Sequence, residues 1–282
     1  MNKELLLRIS HRLRDNVVVR TLAFPYFIIR KRLEVARFQK TPDSAFILSY
    51  KGKYAGKRCF IIGNGPSLCA EDLDKLKDEI CFGCNRVYNI YPKTEWHPTF
   101  YMCLDPECIK DEFENIKVLK GSTKFIRIPG PGFPISERDK LHTFLVSDQY
   151  IINRSKHMKT DISTQCERTF SSSTTVTCVE IEFAIYMGFT EIYLLGVDHN
   201  YPIQIDSSGN TVVNNAVVSH FAGGGSKESS LHYIYIDAAT QCYQVYRDYA
   251  DAHGISIFNA TRGGKLEVYK RADLDEVLTH NG

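Results

Sequence analysis

From Lys57 onward, short apolar runs alternate along the chain with longer amphipathic stretches. The runs predict strands at 58–63, 80–84, 99–104, 124–128, 191–195 and 255–258, and the stretches predict helices at 67–78, 106–118, 174–187 and 235–253. Alternating strands and helices build parallel sheets with helices on both faces. The pattern therefore predicts an α/β fold with a doubly wound, mostly parallel, Rossmann-like sheet.

Polar residues directly follow five of the apolar runs. They are Asn64, Asn85, Asp105, Asp198 and Asn259. Ligands of doubly wound sheets bind at the carboxyl ends of the strands. We therefore expect these side chains to converge on one cleft.

The most specific local motif is Gly63-Asn64-Gly65-Pro66-Ser67-Leu68, between the first strand and the first helix of this pattern. Glycines let a backbone approach a phosphate closely, and the N–H groups at a helix start attract anions. The motif is neither the dinucleotide-binding fingerprint nor a Walker A loop. The amide of Asn64 suits contact with a base or a ribose. A plain strand-to-helix turn is the alternative interpretation.

Residues 199–234 interrupt the alternation and are rich in glycine and serine, with Gly223-Gly224-Gly225-Ser226 as the densest run. A long segment of this composition in a compact domain is typical of a flexible lid, and the alternative is a surface loop without that role. The predicted organisation is an N-terminal helical extension over residues 1–50 and one domain over residues 51–282 that carries the lid.

The first 40 residues are strongly basic. They contain ten Lys and Arg residues against three acids, and leucines and aromatic residues lie between them. No apolar run reaches the roughly 20 residues that a membrane span needs. A basic amphipathic helix of this kind is predicted to lie on an anionic membrane surface. The alternative is a helix packed on the domain with a solvated basic face.

Charge and cysteine usage narrow the function classes. The net charge of +2 gives no electrostatic argument for nucleic-acid binding. Nine cysteines without a secretory signal favour reduced thiols in the cytoplasm, and Cys81 and Cys84 are interpreted as buried thiols because no second close pair exists. The Asp72-Leu73-Asp74 and Asp273-Leu274-Asp275 segments fit helix starts, so neither a metal site nor a cofactor is predicted.

Several further segments, taken in order, define a resemblance. They are the Gly63–Leu68 motif, Cys84-Asn85-Arg86, Leu104-Asp105-Pro106, Ser173-Thr174-Thr175, the run from Gly188 to Asp198, His232-Tyr233, and the run from Asn259 to Gly264. Over residues 57–265 the chain resembles the bacterial lipooligosaccharide sialyltransferases of glycosyltransferase family 42. It is also similar to the motility-accessory-factor family, which attaches nonulosonic acids to flagellin. The resemblance implies a variant of the GT-A fold.

The resemblance also implies a CMP-sugar donor and assigns residues to it. The implied donor-nucleotide-binding residues are Gly63, Asn64, Gly65, Ser67, Asn85, Asp105, Ser173, Thr174, Thr175, Asp198, Asn200 and Tyr201. His232 lies where the family places its general base, with His220 and His199 as the next candidates. The chain departs from the family twice. Asp105 replaces an asparagine, and Asn200 stands at the position of a phosphate-binding tyrosine, with Tyr201 next to it.

The function implied is an inverting glycosyltransferase that moves an acidic sugar (sialic acid, a related nonulosonic acid or Kdo) from a CMP-sugar to a glycan or glycolipid acceptor. Its setting would be lipopolysaccharide or capsule synthesis at the inner membrane of a bacterium, with a homo-oligomer left open. Two alternatives stay open. One is a pterin-type diphosphokinase that uses ATP and Mg²⁺, and the other is a non-catalytic nucleotide-binding subunit of a glycan assembly.

Overall fold

The computed structural model describes residues 17–128, 141–147, 162–171, 173–205, 211–214 and 234–279. Its strands are β1 Arg58–Ile62, β2 Cys81–Cys84, β3 Phe100–Cys103, β4 Thr123–Arg127, β5 Leu141–Phe144, β6 Glu191–Leu195, β7 Ile203–Ile205, β8 Thr211–Val213, β9 Ile234–Tyr235, β10 Ser256–Asn259 and β11 Lys270–Arg271. Its helices are α1 Val17–Phe38, α2 Pro42–Leu48, α3 Ala70–Asp74, α4 Pro106–Val118, α5 Val176–Met187, α6 Ile236–Ala252 and α7 Leu274–Thr279, with a 3₁₀ helix at Val87–Lys93.

The main sheet has eight strands in the order β11-β10-β6-β1-β2-β3-β4-β5. Each neighbouring pair is parallel. The predicted parallel, doubly wound sheet is therefore confirmed. The chain builds the sheet from β1 towards β5, then returns to the other side of β1 with β6. This reversal places the topological switch point between β1 and β6.

Alternating side chains of the strands cover both faces of the sheet, as period-two geometry requires. Cys59 and Ile61 of β1 point into a cluster formed with α1, α2, α5 and α6. Phe60 and Ile62 point into a second cluster formed with α3, α4 and α7. Helices on both faces explain why β1 reads as a continuous apolar run.

Polar groups fix the ends of the helices. Asp105 accepts a hydrogen bond from the main-chain nitrogen of Glu107 at 2.9 Å, and Pro106 takes the first helical position of α4. At the other end, the buried Lys124 donates to the carbonyl oxygens of Lys117 and Leu119 at 2.7 and 2.9 Å. These contacts satisfy groups that a helix leaves open, so the predicted span 106–118 is the observed one.

The N-terminal residues are helical where the structure describes them. Thr41 caps α2, and Ile47 and Tyr50 are buried in the core of the domain. The ring of Tyr50 meets those of Phe100 and Phe125 edge to face at 5.5 and 6.2 Å. Within the described residues, no helix is both long and apolar enough to cross a membrane.

The predicted lid has secondary structure that its composition did not indicate. Strands β7, β8 and β9 form a small sheet in the order β8-β7-β9. Residues 206–210 and 215–233 of the lid lie outside the described residues. The prediction also missed β5 and β11, which are short strands at the two edges of the main sheet. The helix start predicted at Asp273-Leu274-Asp275 is that of α7.

The carboxylate of Asp43 ties α2 to β5. It accepts hydrogen bonds from the main-chain nitrogen of Thr143 at 3.1 Å and from the hydroxyl of the same residue, and His142 Nδ1 lies 3.3 Å away. Replacing Asp43 with Ala leaves these buried donors without an acceptor, so we expect the free energy of unfolding in urea to fall by about 2–4 kcal/mol.

A matched control for this stability measurement is Glu95→Ala, because the Glu95 side chain is 91% exposed. Its effect should stay within about 0.5 kcal/mol. Equal unfolding midpoints for the two variants would show that the contact of Asp43 with β5 does not stabilise the fold.

Candidate functional site

Two loops meet at the switch point, one after β1 and one after β6. The main-chain nitrogen of Gly65 donates to the carbonyl oxygen of Gly196 at 2.8 Å. A Cβ atom at position 65 would lie 1.8 Å from Oδ2 of Asp198, so only glycine fits. Gly196 has a φ of +67°, in the left-handed region that favours glycine. The glycines of the first motif therefore serve the contact between the loops.

Ser67 and Asp198 join the two loops by their side chains. The Ser67 hydroxyl donates to Oδ2 of Asp198 at 2.7 Å, and its main-chain nitrogen lies 3.4 Å from the same oxygen. The carbonyl oxygen of Asp198 accepts from the nitrogen of Lys265 at 2.7 Å, which brings in the loop after β10. One oxygen of the Asp198 carboxylate thus holds the two loops together.

Asn64 holds the end of β2 with one side of its amide. Its Nδ2 donates to the carbonyl oxygen of Cys84 at 3.0 Å. Because that oxygen only accepts, the contact fixes the orientation of the amide. Oδ1 of Asn64 is buried and has no hydrogen-bond partner in the described part of the chain.

Asn85 follows β2 in the left-handed region, with a φ of 48°. The hydroxyl of Tyr101 donates to its carbonyl oxygen at 2.7 Å, and its own nitrogen donates to Met102 at 3.2 Å. The thiol of Cys103 lies 3.4 Å from Oδ1. An uncommon backbone conformation that neighbours hold on several sides is typical of a functional position.

The three hydroxyl side chains at the start of α5 differ in role, since some stabilise the helix start and one is left open. Thr175 caps the helix, since Oγ1 accepts from the nitrogen of Cys178 at 3.2 Å. Ser173 donates to the carbonyl oxygen of Thr175 at 2.9 Å. The hydroxyl of Thr174 is buried beside the Cys242 thiol without completing a hydrogen bond. Two of the three predicted residues therefore build the helix start, and Thr174 keeps an open hydroxyl.

His199, Asn200 and Tyr201 continue the loop after β6. His199 is 6% exposed, and its Nε2 lies 2.8 Å from Oγ1 of Thr240 on α6. Burial lowers the pKa of His199 to about 4. Burial, reinforced by Cys178 and Asp198, raises the pKa of Tyr201 to about 12. Both side chains are therefore neutral near pH 7.

Four of the side chains at this edge hold a buried polar atom with no hydrogen-bond partner among the described residues. The atoms are Asn64 Oδ1, Thr174 Oγ1, His199 Nδ1 and Asn200 Oδ1. The proposed base His232 and its alternative His220 lie outside the described residues, so their roles stay predictions.

Asp105 lies at the carboxyl end of β3, but its carboxylate is the cap of α4. Asn259 is 1% exposed and holds its own loop, donating to Leu266 at 2.8 Å and accepting from Thr261 at 3.0 Å. The strands that these residues follow are neighbours of β1, β2 and β6 in the sheet. The five residues thus lie at one edge of the sheet, with Asn259 as the last residue of β10 and in a structural role. Convergence of all five side chains on one cleft stays a prediction.

The other candidate ligands have structural roles. Asp72 accepts from Nε and a terminal nitrogen of Arg262 at 2.8 and 2.6 Å, and these hydrogen bonds lower the pKa of the carboxyl. Cys81 and Cys84 are buried free thiols, as predicted. Among the described residues, no three His, Cys, Asp or Glu side chains form a group that could hold a metal ion.

Residues of α6 complete the site and were not singled out from the sequence. Thr240 contacts His199, and the Tyr243 hydroxyl lies 3.3 Å from Oγ1 of Thr175. Nothing local marks these positions, because they lie about 40 residues after the loop of β6 and meet it only through packing.

Residues 34–204 match the family described as 6-hydroxymethylpterin diphosphokinase MptE-like. A comparison with curated proteins gave no match.

Two solved structures are similar to the chain. A MAf glycosyltransferase from Magnetospirillum magneticum AMB-1 has 16% sequence identity and a TM-score of 0.48 over 86% of this chain. The sialyltransferase CstII from Campylobacter jejuni, in complex with cytidine-5'-monophosphate, also has 16% identity and a TM-score of 0.48, over 78% of this chain and 86% of its own. The chain spans 38% of the length of the MAf glycosyltransferase. Both proteins are of the kinds that the sequence motifs resemble.

Since the family match covers more than half of its residues, the chain belongs to the MptE-like family.

Proposed function

We propose that this member of the MptE-like family is an inverting glycosyltransferase that uses a CMP-activated acidic sugar, such as a sialic acid, a related nonulosonic acid or Kdo. The observation that carries the proposal is the set of four buried, unpartnered polar atoms at the switch point. Roughly 90% or more of buried polar groups in proteins have a hydrogen-bond partner. A group of exceptions at a strand edge favours a ligand that supplies the partners.

The chemistry of these atoms favours a nucleotide and a sugar. Asn64 Oδ1 is an acceptor, and the Thr174 hydroxyl can both donate and accept. The amino group of cytosine and the hydroxyls of ribose and sugar are suitable donors to such atoms. The motif resemblance over residues 57–265 supports the same substrate class.

The proposed reaction is a single displacement. The oxygen of an acceptor hydroxyl forms a bond to the anomeric carbon of the sugar, and the bond from that carbon to the phosphate oxygen of CMP breaks. His232 takes the hydroxyl proton, and CMP leaves with the electron pair of the broken bond. The start of α5 and the phenol of Tyr201 would stabilise the leaving phosphate. The acceptor is proposed to be a cell-surface glycan or glycolipid.

The second candidate is a diphosphokinase, which the description of the family favours. Transfer of a diphosphate group from ATP relies on Mg²⁺ held by carboxylates. The two carboxylates at the cleft are engaged, since Asp105 caps α4 and Oδ2 of Asp198 accepts from Ser67. Each carboxylate thus has one oxygen engaged by the protein, and among the described residues no group of three metal-ligating side chains lies beside them. We therefore rank this function second. A non-catalytic nucleotide-binding subunit is the third alternative.

We also propose that α1 holds the protein against an anionic membrane. Tyr26, Ile29 and Leu33 form an outer stripe, with exposed fractions of 63, 58 and 51%. Their spacing places them on one face of the helix. The exposed Arg30, Arg37 and Lys40 form a basic flank beside that stripe.

The opposite side of α1 packs on the domain. Phe38 is buried in the core, and Nζ of Lys31 donates to the carbonyl oxygen of Val146 at 2.8 Å. The outer stripe and the basic flank therefore face away from the domain, in an arrangement that suits a surface of anionic lipids.

Ligand binding tests the proposed donor. CMP should raise the free energy of unfolding by about 2.7 kcal/mol at a hundredfold excess over its Kd, and UMP should do so much less. Asn64→Ala should weaken CMP binding by about 1–3 kcal/mol, because a hydrogen-bonding group of the ligand loses its acceptor. Urea unfolding with and without nucleotide gives the first value, and calorimetric titration gives the second.

Asn89→Ala is the control for this titration, since Asn89 is an exposed asparagine of the 3₁₀ helix. The same measurements with ATP plus Mg²⁺ and with 6-hydroxymethylpterin test the diphosphokinase function. Stabilisation by those compounds and none by CMP would reverse the ranking.

Replacement of His232 tests whether this residue is the general base. His232→Ala should lower kcat by about 10²–10⁴-fold while the Kd of CMP stays unchanged. The activity of the unmodified protein should fall as pH drops through the pKa of the base, and the variant should lack this fall. His199 cannot cause this fall in activity, because its pKa of about 4 keeps its ring neutral until well below pH 6. Near-normal turnover of His232→Ala, with turnover lost in His220→Ala, would move the base to His220.

Vesicle sedimentation tests the membrane face. The protein should sediment with vesicles of phosphatidylglycerol and phosphatidylethanolamine at low salt and much less in 1 M NaCl, because screening weakens charge attraction. Replacing the outer stripe with serines should abolish sedimentation, and replacing the basic flank should reduce it. The control replaces three exposed lysines elsewhere, namely Lys93, Lys110 and Lys120. Equal loss in the control would mean that general charge, and not α1, drives the binding.

A further inference from the structure

Thr240 sets the tautomer of His199. Oγ1 of Thr240 lies 2.9 Å from the carbonyl oxygen of Ile236 and 2.8 Å from Nε2 of His199. A threonine hydroxyl has one proton, and a carbonyl oxygen only accepts. Both contacts are hydrogen bonds when the hydroxyl donates to Ile236 and accepts from a protonated Nε2 of His199, and this is the tautomer that the arrangement favours.

Nδ1 of His199 is consequently a lone pair. It is buried and has no partner in the part of the chain that the structure describes. Protonation would turn Nδ1 into a donor, but burial holds the pKa of the ring near 4. The atom is thus an acceptor at any pH at which the protein would work.

Two tyrosine rings pack against the imidazole of His199. Tyr201 and Tyr243 meet the imidazole edge to face, with centroid distances of 5.9 and 5.6 Å. The hydroxyl of Tyr243 also reaches Thr175 at the start of α5. The backbone of His199 has a φ of 50°, which turns the loop after β6 at this residue. The ring therefore packs against two tyrosines, one of which contacts Thr175, the neighbour of Thr174.

We propose that His199, held in one tautomer by Thr240, is a specificity-determining acceptor of the site, and that its Nδ1 accepts a hydrogen bond from an N–H or O–H group of the bound nucleotide. The identity of the ligand rests on the proposed function, whereas the tautomer does not. Two sources have this chemistry, the exocyclic amine of cytosine and the 2′-hydroxyl of the ribose.

An acceptor that cannot become a donor discriminates by repulsion as well as by attraction. It favours the amine of cytosine, and it opposes the carbonyl oxygen that uracil carries at the same position. A site built around a specific hydrogen bond rejects ligands that leave it unmade. Thr240 acts here as a positioning residue, since it contacts the imidazole and not the nucleotide.

Nitrogen NMR of the ¹⁵N-histidine-labelled protein tests the tautomer without any ligand. The spectrum of His199, assigned by its loss in His199→Phe, should show a protonated Nε2 and an unprotonated Nδ1. Thr240→Ser keeps the hydroxyl and should keep this signature, whereas Thr240→Val should lose it. A protonated Nδ1 in the unmodified protein would overturn the proposal. Circular dichroism checks that each variant is folded, and Thr240→Ser serves as the matched control for Thr240→Val.

Binding of CMP, UMP and 2′-deoxy-CMP tests the recognition. His199→Phe should weaken CMP binding on the order of tenfold or more. If the amine is the source, the CMP-to-UMP preference should fall in His199→Phe and in Thr240→Val but not in Thr240→Ser. If the ribose is the source, His199→Phe should weaken CMP and UMP equally and leave 2′-deoxy-CMP unchanged.

Unchanged affinities for all three nucleotides in His199→Phe, with CMP still bound by the unmodified protein, would overturn the proposal and leave the proposed function standing. If the unmodified protein binds no cytidine nucleotide, the donor assignment fails and recognition by His199 fails with it, even where NMR finds the expected tautomer.

Discussion

The pairing of β1 with β6 is the contact on which the rest of the structure depends. Five residue pairs, from Arg58 with Glu191 to Ile62 with Leu195, join strands that are far apart in sequence. The sheet grows away from this pair in both directions, so the connections leave β1 and β6 over opposite faces. Ligands of doubly wound sheets bind at such a reversal, outside the carboxyl ends of the strands. The main-chain hydrogen bond from Gly65 to Gly196 keeps the loops after β1 and β6 in contact. The position of the site therefore follows from the order of the strands.

The polar residues at this switch point have two kinds of role. Ser67, Asp198 and Thr175 form hydrogen bonds within the protein, which hold loops and a helix start in place. Asn64 and His199 use one atom for the protein and keep another open. A buried polar group without a partner costs roughly 1–3 kcal/mol. The fold carries this cost at the switch point, and a ligand that supplies the partners recovers it.

Much of the fold could be predicted because strand period and capping chemistry are local. Asp105 and Pro106 mark the start of α4 in the sequence, and its span is the observed one. The sequence also placed the polar strand ends at one edge, since parallel strands end together. It could not show that Asp198 binds Ser67, or that Thr240 orients His199, because these pairs are 131 and 41 residues apart and form only through packing. Short edge strands such as β11 carry too few residues for a period to be read.

The burial that makes His199 a good acceptor makes it a poor base. A general base works best when its pKa lies near the working pH, and it must pass the proton that it takes to water. His199 meets neither condition, since its ring is 6% exposed and burial lowers its pKa to about 4. A histidine carried by a segment that closes over the donor and opens again can meet both. His199 therefore suits recognition of the ligand better than proton transfer, and His232 of the predicted lid remains the proposed base.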